Sequence, residues 1–378
     1  MIEDAYNFVG LCSGAGGLDL GFELAGFRHR TSMDIEPFAV KTITRNRPNW
    51  NVEEADLREY EISSVTNTDV LLAGVPCQGF SLGGNRDNAD PRNQLYKHVV
   101  RISKAVRPRV VVIENVLNLR TMNCPNTGRP FSQQIGEELE KIGYEVFFDV
   151  FRVSLHGVPQ TRRRFVFVAF DGCAPPGYHL PTPDPDETPI REHLFDLGND
   201  GGKPPDLPNH NPQWGFKSAV HQEVHIDYDS DSIVVPVRFS RTASDGNPIR
   251  SFDQPFPAID TATVWGWAQG NVQAKRVPKD RKNGKHIRNP NARVDLWRVT
   301  AARLRSFTHR EYARLQTFPD DWEFFGNNKR DIHKQIGNAV PVEFARRLGN
   351  NISTALNCLD QQEAYPDSRA QGDLFALA

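Results

Sequence analysis

A cysteine at position 77 follows an apolar run, in the stretch LLAGVPCQGFS at residues 71–81. A rigid proline precedes Cys77 and the polar Gln78 follows it, and a buried structural cysteine needs neither neighbour. A thiolate is a nucleophile that can form covalent intermediates. The stretch therefore predicts a reactive cysteine just after a strand, although one cysteine alone does not define a reaction.

Glu114 and Asn115 follow a second apolar run, RVVVIEN at residues 109–115. Open α/β sheets bind ligands at the carboxyl ends of their strands. Because Cys77 and Glu114 both follow strands, their side chains are expected to face one crevice. A carboxyl group in such a crevice can act as a general acid or base.

Three polar residues lead into a further strand in GVPQTRRRFVFV at residues 157–168: Gln160, Arg162 and Arg164. Side chains alternate along a strand, so Arg162 and Arg164 are expected on one face and Arg163 on the other. An arginine that points into a protein needs an anion or a carbonyl oxygen as its partner. This pattern adds one or two cations to the predicted crevice.

A glycine-rich loop follows the first strand in GLCSGAGGLDLGF at residues 10–22. Gly14, Gly16 and Gly17 would let the backbone approach a ligand and open the next helix to an anion. A tight turn without a ligand is an equally open interpretation. The spacing differs from G-x-G-x-x-G, which argues against a dinucleotide and against an NAD oxidoreductase.

Two acids follow the next strands. Asp34 ends the run HRTSMD, where carboxylates accept hydrogen bonds from ribose hydroxyls, and Asp56 in EADLREY would meet an adenine amine. Either acid alone is as readily a helix cap or a surface residue. With the glycine loop, they outline an adenosine site.

The elements that position these residues alternate between short apolar strands and amphipathic helices over the first 170 residues. This alternation predicts an α/β fold, a doubly wound, Rossmann-like sheet. From about Asp171 the chain becomes Pro-rich and irregular, and helical patterns return at THREYARLQTF and VPVEFARRLGNNISTAL. The last helix is expected to pack back on the first domain.

The composition restricts the possibilities further. The chain has 378 residues and five cysteines without a C-x-x-C pair, so neither a zinc ribbon nor a disulfide framework is predicted. The amino terminus lacks a signal peptide pattern, and no apolar run could span a bilayer. We expect a cytoplasmic protein without a metal ion.

Charge is distributed unevenly, although the formal net charge is only −2. Residues 171–231 carry 12 acidic and 3 basic side chains, whereas residues 271–314 carry 13 basic and 3 acidic ones. A basic run is most often a solvated loop, but it can also bind phosphate. We expect the acidic segment to face away from any phosphate.

Taken in order, these motifs resemble those of the cytosine-C5 DNA methyltransferases, over residues 8–170 and 300–348. The resemblance rests on the glycine loop, Asp34, ADL, PCQ, ENV, QTRRR, REYARLQTFPD and QIGNAVPV. It implies a catalytic and cofactor-binding domain at 1–175, a target-recognition domain at 176–300, a return to the catalytic domain at 301–360 and a tail at 361–378.

The resemblance implies a mechanism and a cofactor. Cys77 would add to C6 of a flipped-out cytosine, Glu114 would protonate or hydrogen-bond N3, and Arg164, with Arg162 less directly, would hold the base carbonyl. Asn115 would orient this group. The cofactor would be S-adenosylmethionine, held by these residues: Gly14, Gly16, Gly17, Leu18, Asp34, Ile35, Asp56, Leu57, Asn338 and Val340.

This chain departs from the family pattern at two cofactor positions. Cys12 stands where the family usually has an aromatic residue, and Asp34 stands where it usually has a glutamate. Both changes affect the predicted affinity for the cofactor and remove no required group.

Contacts with duplex DNA are implied for five residues: Gln78, Ser81, Arg92, Thr261 and Thr263. The alternatives are the branch of the family that methylates tRNA and a catalytically inactive relative that only binds DNA. The long middle segment favours DNA, and the joint presence of Cys77, Glu114 and Arg164 argues against an inactive protein. We expect a monomer that works beside a restriction endonuclease.

Overall fold

A seven-stranded sheet forms the centre of the protein in a computed structural model. The structure describes residues 5–60, 66–76, 91–125, 127–198, 207–210, 224–225, 234–238, 252–259, 265–269, 273–278, 295–300 and 303–366. The strands of this sheet are β1 (Asn7–Leu11), β2 (Arg28–Asp34), β3 (Val52–Glu54), β4 (Val70–Ala73), β5 (Val110–Val116), β6 (Tyr144–Arg152) and β7 (Arg163–Asp171).

The strand order is β3-β2-β1-β4-β5-β7-β6, and the first five strands of that order are parallel. β7 runs antiparallel to β5 and to β6. The predicted α/β fold is therefore confirmed as a mixed sheet. The antiparallel pair arises because only a short 3₁₀ turn at Val153–Leu155, rather than a helix, separates β6 from the run into β7.

Helices cover both faces of the sheet. They are α1 (Gly17–Leu24), α2 (Pro37–Asn46), α3 (Tyr96–Val106), α4 (Phe131–Lys141), α5 (Arg191–Gly198), α6 (His309–Leu315), α7 (Lys329–Asn338) and α8 (Val342–Gln361). Among the described helices, none is long and apolar enough to cross a membrane.

The apolar core has two layers, one on each face of the sheet, because successive residues of a strand point to opposite faces. Leu72 and Val112 pack with residues of α1 and α8, whereas Leu71 and Val111 pack with residues of α3 and α4. Side chains alternate across a sheet, so each buried strand contributes to both layers. The expected return of the last helix is confirmed, because α8 packs along α1.

Six shorter strands form two three-stranded antiparallel sheets between residues 224 and 306. One has the order β13 (Arg303–Ser306), β10 (Trp265–Gln269) and β9 (Val234–Arg238), and the other β12 (Asp295–Thr300), β11 (Gln273–Pro278) and β8 (Val224–His225). The Pro-rich middle of the chain thus contains the helix α5 and short antiparallel strands in its described part. Its assignment as a target-recognition domain stays a prediction.

A buried ion pair connects this region to α6. Arg305 and Glu311 lie 2.7 Å apart with fully buried side chains, and Trp267 Nε1 donates to the same carboxylate at 2.5 Å. Thr308 caps α6 in a capping box with Glu311. These bonds fix β10 and β13 on the helix that the motif REYARLQTF forms.

Candidate active site

The glycine loop lies between β1 and α1, at the carboxyl end of β1. Gly14 has φ +57° and nothing within 4 Å of the position that a Cβ would take, so its surface is open to a ligand. A Cβ on Gly17 would lie 2.2 Å from the carbonyl oxygen of Val340. Glycine is therefore required at 17 for the close approach of the carboxyl-terminal segment.

Asp34 holds this loop from the end of β2. Its Oδ2 accepts from the backbone N–H of Gly14 at 2.7 Å, and its Oδ1 accepts from the N–H of Glu36 at 2.8 Å. Burial raises the pKa of the Asp34 carboxyl. Each carboxylate oxygen can accept a further hydrogen bond, so the shorter acid still offers acceptors to two ribose hydroxyls.

The side chain of Ile35, next to Asp34, is 58% exposed, although it is large and apolar. An apolar surface beside a ribose acceptor suits the face of an adenine ring. Asp56 follows β3 and is paired with Arg58 in a bidentate arrangement, which lowers the pKa of its carboxyl. The contact of Asp56 with an adenine amine stays a prediction.

The Cys12 thiol lies close enough to both acids for their charges to act on it. Burial, and then the charges of Asp34 and Asp56, raise the pKa of the Cys12 thiol. The thiol is therefore a neutral, small wall of the adenosine site. Leu18 and Leu57 are buried in the core, so any contact they make with a ligand has to use their backbone atoms.

The far wall of the site comes from the end of the chain. Asn338 is the exposed last residue of α7, and the buried Val340 lies against Gly17. The structure thus brings together the glycine loop, Asp34, Ile35 and the GNAV segment, as the sequence predicted. These residues fit S-adenosylmethionine through an open glycine surface, an acid with spare acceptor capacity and an exposed apolar side chain.

Glu114 and Arg164 form an ion pair at the neighbouring strand ends. Glu114 Oε1 lies 2.6 Å from Arg164 Nε, with side chains that are 9% and 12% exposed. The cross-strand register places Arg164 opposite Val116, two residues beyond Glu114. Burial raises the pKa of the Glu114 carboxyl, and the Arg164 charge opposes part of this rise. A carboxyl group with a raised pKa is suited to donate a proton.

Asn115 points to the segment that carries the predicted nucleophile. Its Nδ2 donates to the carbonyl oxygen of Val75 at 3.3 Å, and its Oδ1 accepts from the N–H of Val116. Val75 lies two residues before Cys77. Asn115 therefore fixes the end of the β4 segment relative to Glu114.

Several predicted residues lie outside the described part of the chain. They are Cys77, Gln78, Ser81, Thr261 and Thr263, and for Arg92 the side chain is outside it. Their roles stay predictions. Within the described ranges, no group of His, Cys, Asp and Glu side chains could hold a metal ion.

Arg162 differs from its expected place beside the base. It is 2% exposed, and its Nη1 donates to the carbonyl oxygens of Ile259 at 3.0 Å and Gly337 at 2.8 Å. Its Nη2 donates to the carbonyl oxygen of Asn338 at 3.5 Å. The alternation expected along the strand holds, because Arg163 is exposed, but the described contacts of Arg162 are with backbone that borders the cofactor site rather than with Glu114.

A buried glutamine pair extends this contact and was missed in the sequence. Gln160 Nε2 donates to Gln316 Oε1 at 2.9 Å, and Gln316 Nε2 donates to the carbonyl oxygen of Ile336 at 2.6 Å. Both side chains are fully buried. The sequence drew attention to Gln160 before its strand, but nothing in it identified Gln316, in the stretch ARLQTF, as the partner.

The chain matches the model of one protein family over residues 6–354, described as C-5 cytosine-specific DNA methylase. It is 30% identical to the Type II methyltransferase M.NgoMIV of Neisseria gonorrhoeae, over 93% of this chain and 98% of that protein. It is 31% identical to the Type II methyltransferase M.PspPI of Psychrobacter sp. strain TA137, over 93% of this chain and 80% of that protein.

Solved structures share the fold. The structure of S. pombe Dnmt2 methyltransferase matches with a TM-score of 0.55 and 17% identity, over 94% of this chain and 100% of that chain. The Entamoeba histolytica methyltransferase EhMeth matches with a TM-score of 0.57 and 15% identity, over 94% and 99%. At these identities the likeness concerns the fold alone.

Proposed function

The chain belongs to the C-5 cytosine-specific DNA methylase family, and we propose that it methylates cytosine within a fixed duplex DNA sequence as the methyltransferase of a restriction–modification system. The enzyme class is DNA (cytosine-5-)-methyltransferase, and the family uses S-adenosylmethionine. The restriction–modification role is supported by the Type II methyltransferases that resemble the chain over nearly its whole length.

The observation that carries the chemistry is the buried pair of Glu114 and Arg164. C5 of cytosine is a poor nucleophile until a thiolate adds at C6. The Cys77 sulfur would form the bond to C6 while Glu114 delivers a proton or hydrogen bond to N3. The electron pair of the C5–C6 bond then becomes available at C5. Arg164 would hold both the Glu114 carboxylate and the base carbonyl.

When bound, S-adenosylmethionine supplies an electrophilic methyl group next to the base. The residues that would hold it are the glycine loop, Asp34, Ile35, Asp56 and the GNAV segment. After methylation, a base must remove the C5 proton so that the electron pair returns to the ring and the bond from Cys77 to C6 breaks. We assign this base to water, because none of the described side chains lies in an evident position for it.

The target cytosine has to leave the DNA stack to reach these side chains. The predicted DNA contacts at Gln78, Ser81 and Arg92 follow the nucleophile in sequence, and those at Thr261 and Thr263 follow Ile259, whose carbonyl oxygen binds Arg162. One active site acts on one flipped base, which suits a monomer. A cognate restriction endonuclease would be its functional partner.

The second candidate is a tRNA methyltransferase, because the branch of the family that methylates tRNA shares the nucleophile and glutamate motifs of Cys77 and Glu114. The two are separated by incubating the protein and labelled S-adenosylmethionine with mixed genomic DNA and, in parallel, with total tRNA. Bisulfite sequencing then locates methylcytosine in the DNA. Methylation in one sequence context supports the proposal, label only in tRNA supports the second candidate, and label in neither supports an inactive DNA-binding relative.

A further inference from the structure

A buried carboxylate lies beneath the glycine loop. Asp19, the third residue of α1, is 1% exposed. Its Oδ1 accepts from Ser13 Oγ at 3.0 Å and from Ser32 Oγ at 2.8 Å. Ser13 belongs to the loop and Ser32 to β2, so a single oxygen atom connects α1, the loop and β2.

The backbone leaves space for this carboxylate at one position of β1. A Cβ on Gly10 would lie 1.8 Å from Asp19 Oδ1 and 2.6 Å from Ser13 Oγ. Gly10 lies inside a strand, where any residue adopts the backbone conformation. Glycine is therefore required at position 10 because the side chains of Asp19 and Ser13 occupy the volume that a Cβ would take.

The charge of Asp19 is costly to bury. Burial raises the pKa of the Asp19 carboxyl to about 6. The hydrogen bonds from the two serines lower this pKa and so oppose part of the rise. No cationic side chain pairs with Asp19 among the residues that the structure describes. An acid in the first turn of a helix is favoured by the helix dipole, but this effect alone does not require burial or two hydroxyl donors from other elements.

The two serines that bind Asp19 are close in sequence to two predicted cofactor residues, Gly14 and Asp34. Ser13 precedes Gly14, whose N–H donates to Asp34 Oδ2, and Ser32 lies two residues before Asp34 on the same strand. A shift of either serine would change the position of Gly14 relative to Asp34. The Asp19 carboxylate and the Asp34 carboxylate thus hold two neighbouring residues of one loop.

We propose that Asp19 is a positioning residue for S-adenosylmethionine, which holds Ser13 and Ser32 together so that the glycine loop keeps the shape that receives the cofactor. The proposal rests on the assignment of S-adenosylmethionine as the cofactor. Asp19 acts through the loop and needs no contact with the reacting atoms.

The test measures binding rather than turnover. Isothermal titration with S-adenosylhomocysteine, without DNA, gives the Kd of wild type and of Ser13→Ala, Ser32→Ala and Asp19→Asn. Each variant is expected to bind about tenfold more weakly, the size of one hydrogen bond to a charged acceptor. Ser103→Ala is the matched control, because the buried Ser103 hydroxyl bonds only within α3 to the Val99 carbonyl oxygen.

The thermal midpoint separates positioning from a purely structural role. Asp19→Asn removes a buried charge, so its Tm at pH 8 is expected to equal or exceed that of wild type while its Kd rises. The double variant Ser13→Ala/Asp19→Asn is expected to bind no more weakly than the weaker single variant, because Ser13→Ala removes the donor of the same bond that Asp19→Asn weakens by removing its charge. A lower Tm with an unchanged Kd would overturn the proposal. Wild type that fails to bind S-adenosylhomocysteine would overturn the cofactor assignment, and the proposal with it.

Discussion

Arg162 and Arg164 are two residues apart, yet their guanidinium groups serve different parts of the site. Arg164 lies 2.6 Å from the Glu114 carboxylate, whereas Arg162 binds the backbone carbonyl oxygens of Ile259 and Gly337. The residues at the start of β7 therefore contact both Glu114 and the backbone near Gly337.

Replacement of Arg162 by Met should destabilise the protein by about 3 kcal/mol or more, because it leaves buried carbonyl oxygens without their donors. The hydrogen bond that fixes the Gly337 carbonyl, next to the predicted cofactor residue Asn338, would also be lost. S-adenosylhomocysteine should therefore bind more weakly. Chemical denaturation and titration measure both effects. Arg163→Met is the matched control, since Arg163 is exposed. Equal stability of the two variants would contradict the bonding role of Arg162.

Replacement of Glu114 by Gln should lower kcat at least about a hundredfold, because general acid catalysis contributes roughly 10²- to 10⁴-fold. Binding of S-adenosylhomocysteine should stay within about twofold of wild type, since Glu114 is not among the cofactor residues. Single-turnover methyl transfer measures the loss of rate, and titration measures the affinity for S-adenosylhomocysteine. Glu140→Gln, on the exposed side of α4, is the control. Near-normal kcat in Glu114→Gln would remove this residue from the mechanism.

Replacement of Arg164 by Met should shift the pH profile. The Arg164 charge lowers the pKa of Glu114, so its removal raises that pKa further. Because the protonated carboxyl is the active form, the alkaline limb of kcat/KM should move to higher pH, while the rate itself falls. An alkaline limb that stays in place or moves to lower pH would show that Glu114 does not set it.

Stability should fall on acidification through His156. This side chain is 3% exposed between the rings of Phe151 and Phe344, and burial lowers its pKa to about 4. The unfolded chain, with a pKa of about 6.5, binds more protons between pH 6.5 and 4, so the free energy of unfolding decreases as the pH falls through that window.

Urea denaturation at several pH values measures this decrease. His156→Leu should remove up to about 1.4 kcal/mol per pH unit from the slope below pH 6.5, the amount for one proton. The slopes above pH 7 should coincide for the two proteins. A variant with the wild-type slope at low pH would assign the acid sensitivity to other groups, such as the partly buried His29 and His309.

The sequence predicted the sheet because strands and helices follow local patterns. Apolar runs placed Asp34 and Glu114 near strand ends and Gly14 in a loop after a strand, where the structure has them. The approach of Val340 to Gly17 joins distant parts of the chain, and only the order of the family motifs pointed to it. The function of Arg162 could not be read in this way. Alternation gives the face of a side chain, but its partners at 259 and 337 are about 100 and 175 residues away in sequence.

Asp19 illustrates the same limit. An acid in the first turn of a helix reads as an ordinary capping residue, and its burial depends on Gly10 and Ser32 in neighbouring strands. The antiparallel direction of β7 likewise depends on the short turn at Val153–Leu155, which the apolar pattern of the strands does not reveal.

The covalent step at Cys77 is tested most directly with duplex DNA that carries 5-fluorocytosine at the methylated position identified by bisulfite sequencing. Fluorine cannot leave C5 as a proton does, so elimination is blocked after methyl transfer and the bond from Cys77 to C6 should persist. Mass spectrometry should find one protein–DNA adduct, mapped to the peptide of Cys77, and none with Cys77→Ser, which should still bind S-adenosylhomocysteine. Methyl transfer by Cys77→Ser at the wild-type rate, or an adduct at another residue, would contradict the account.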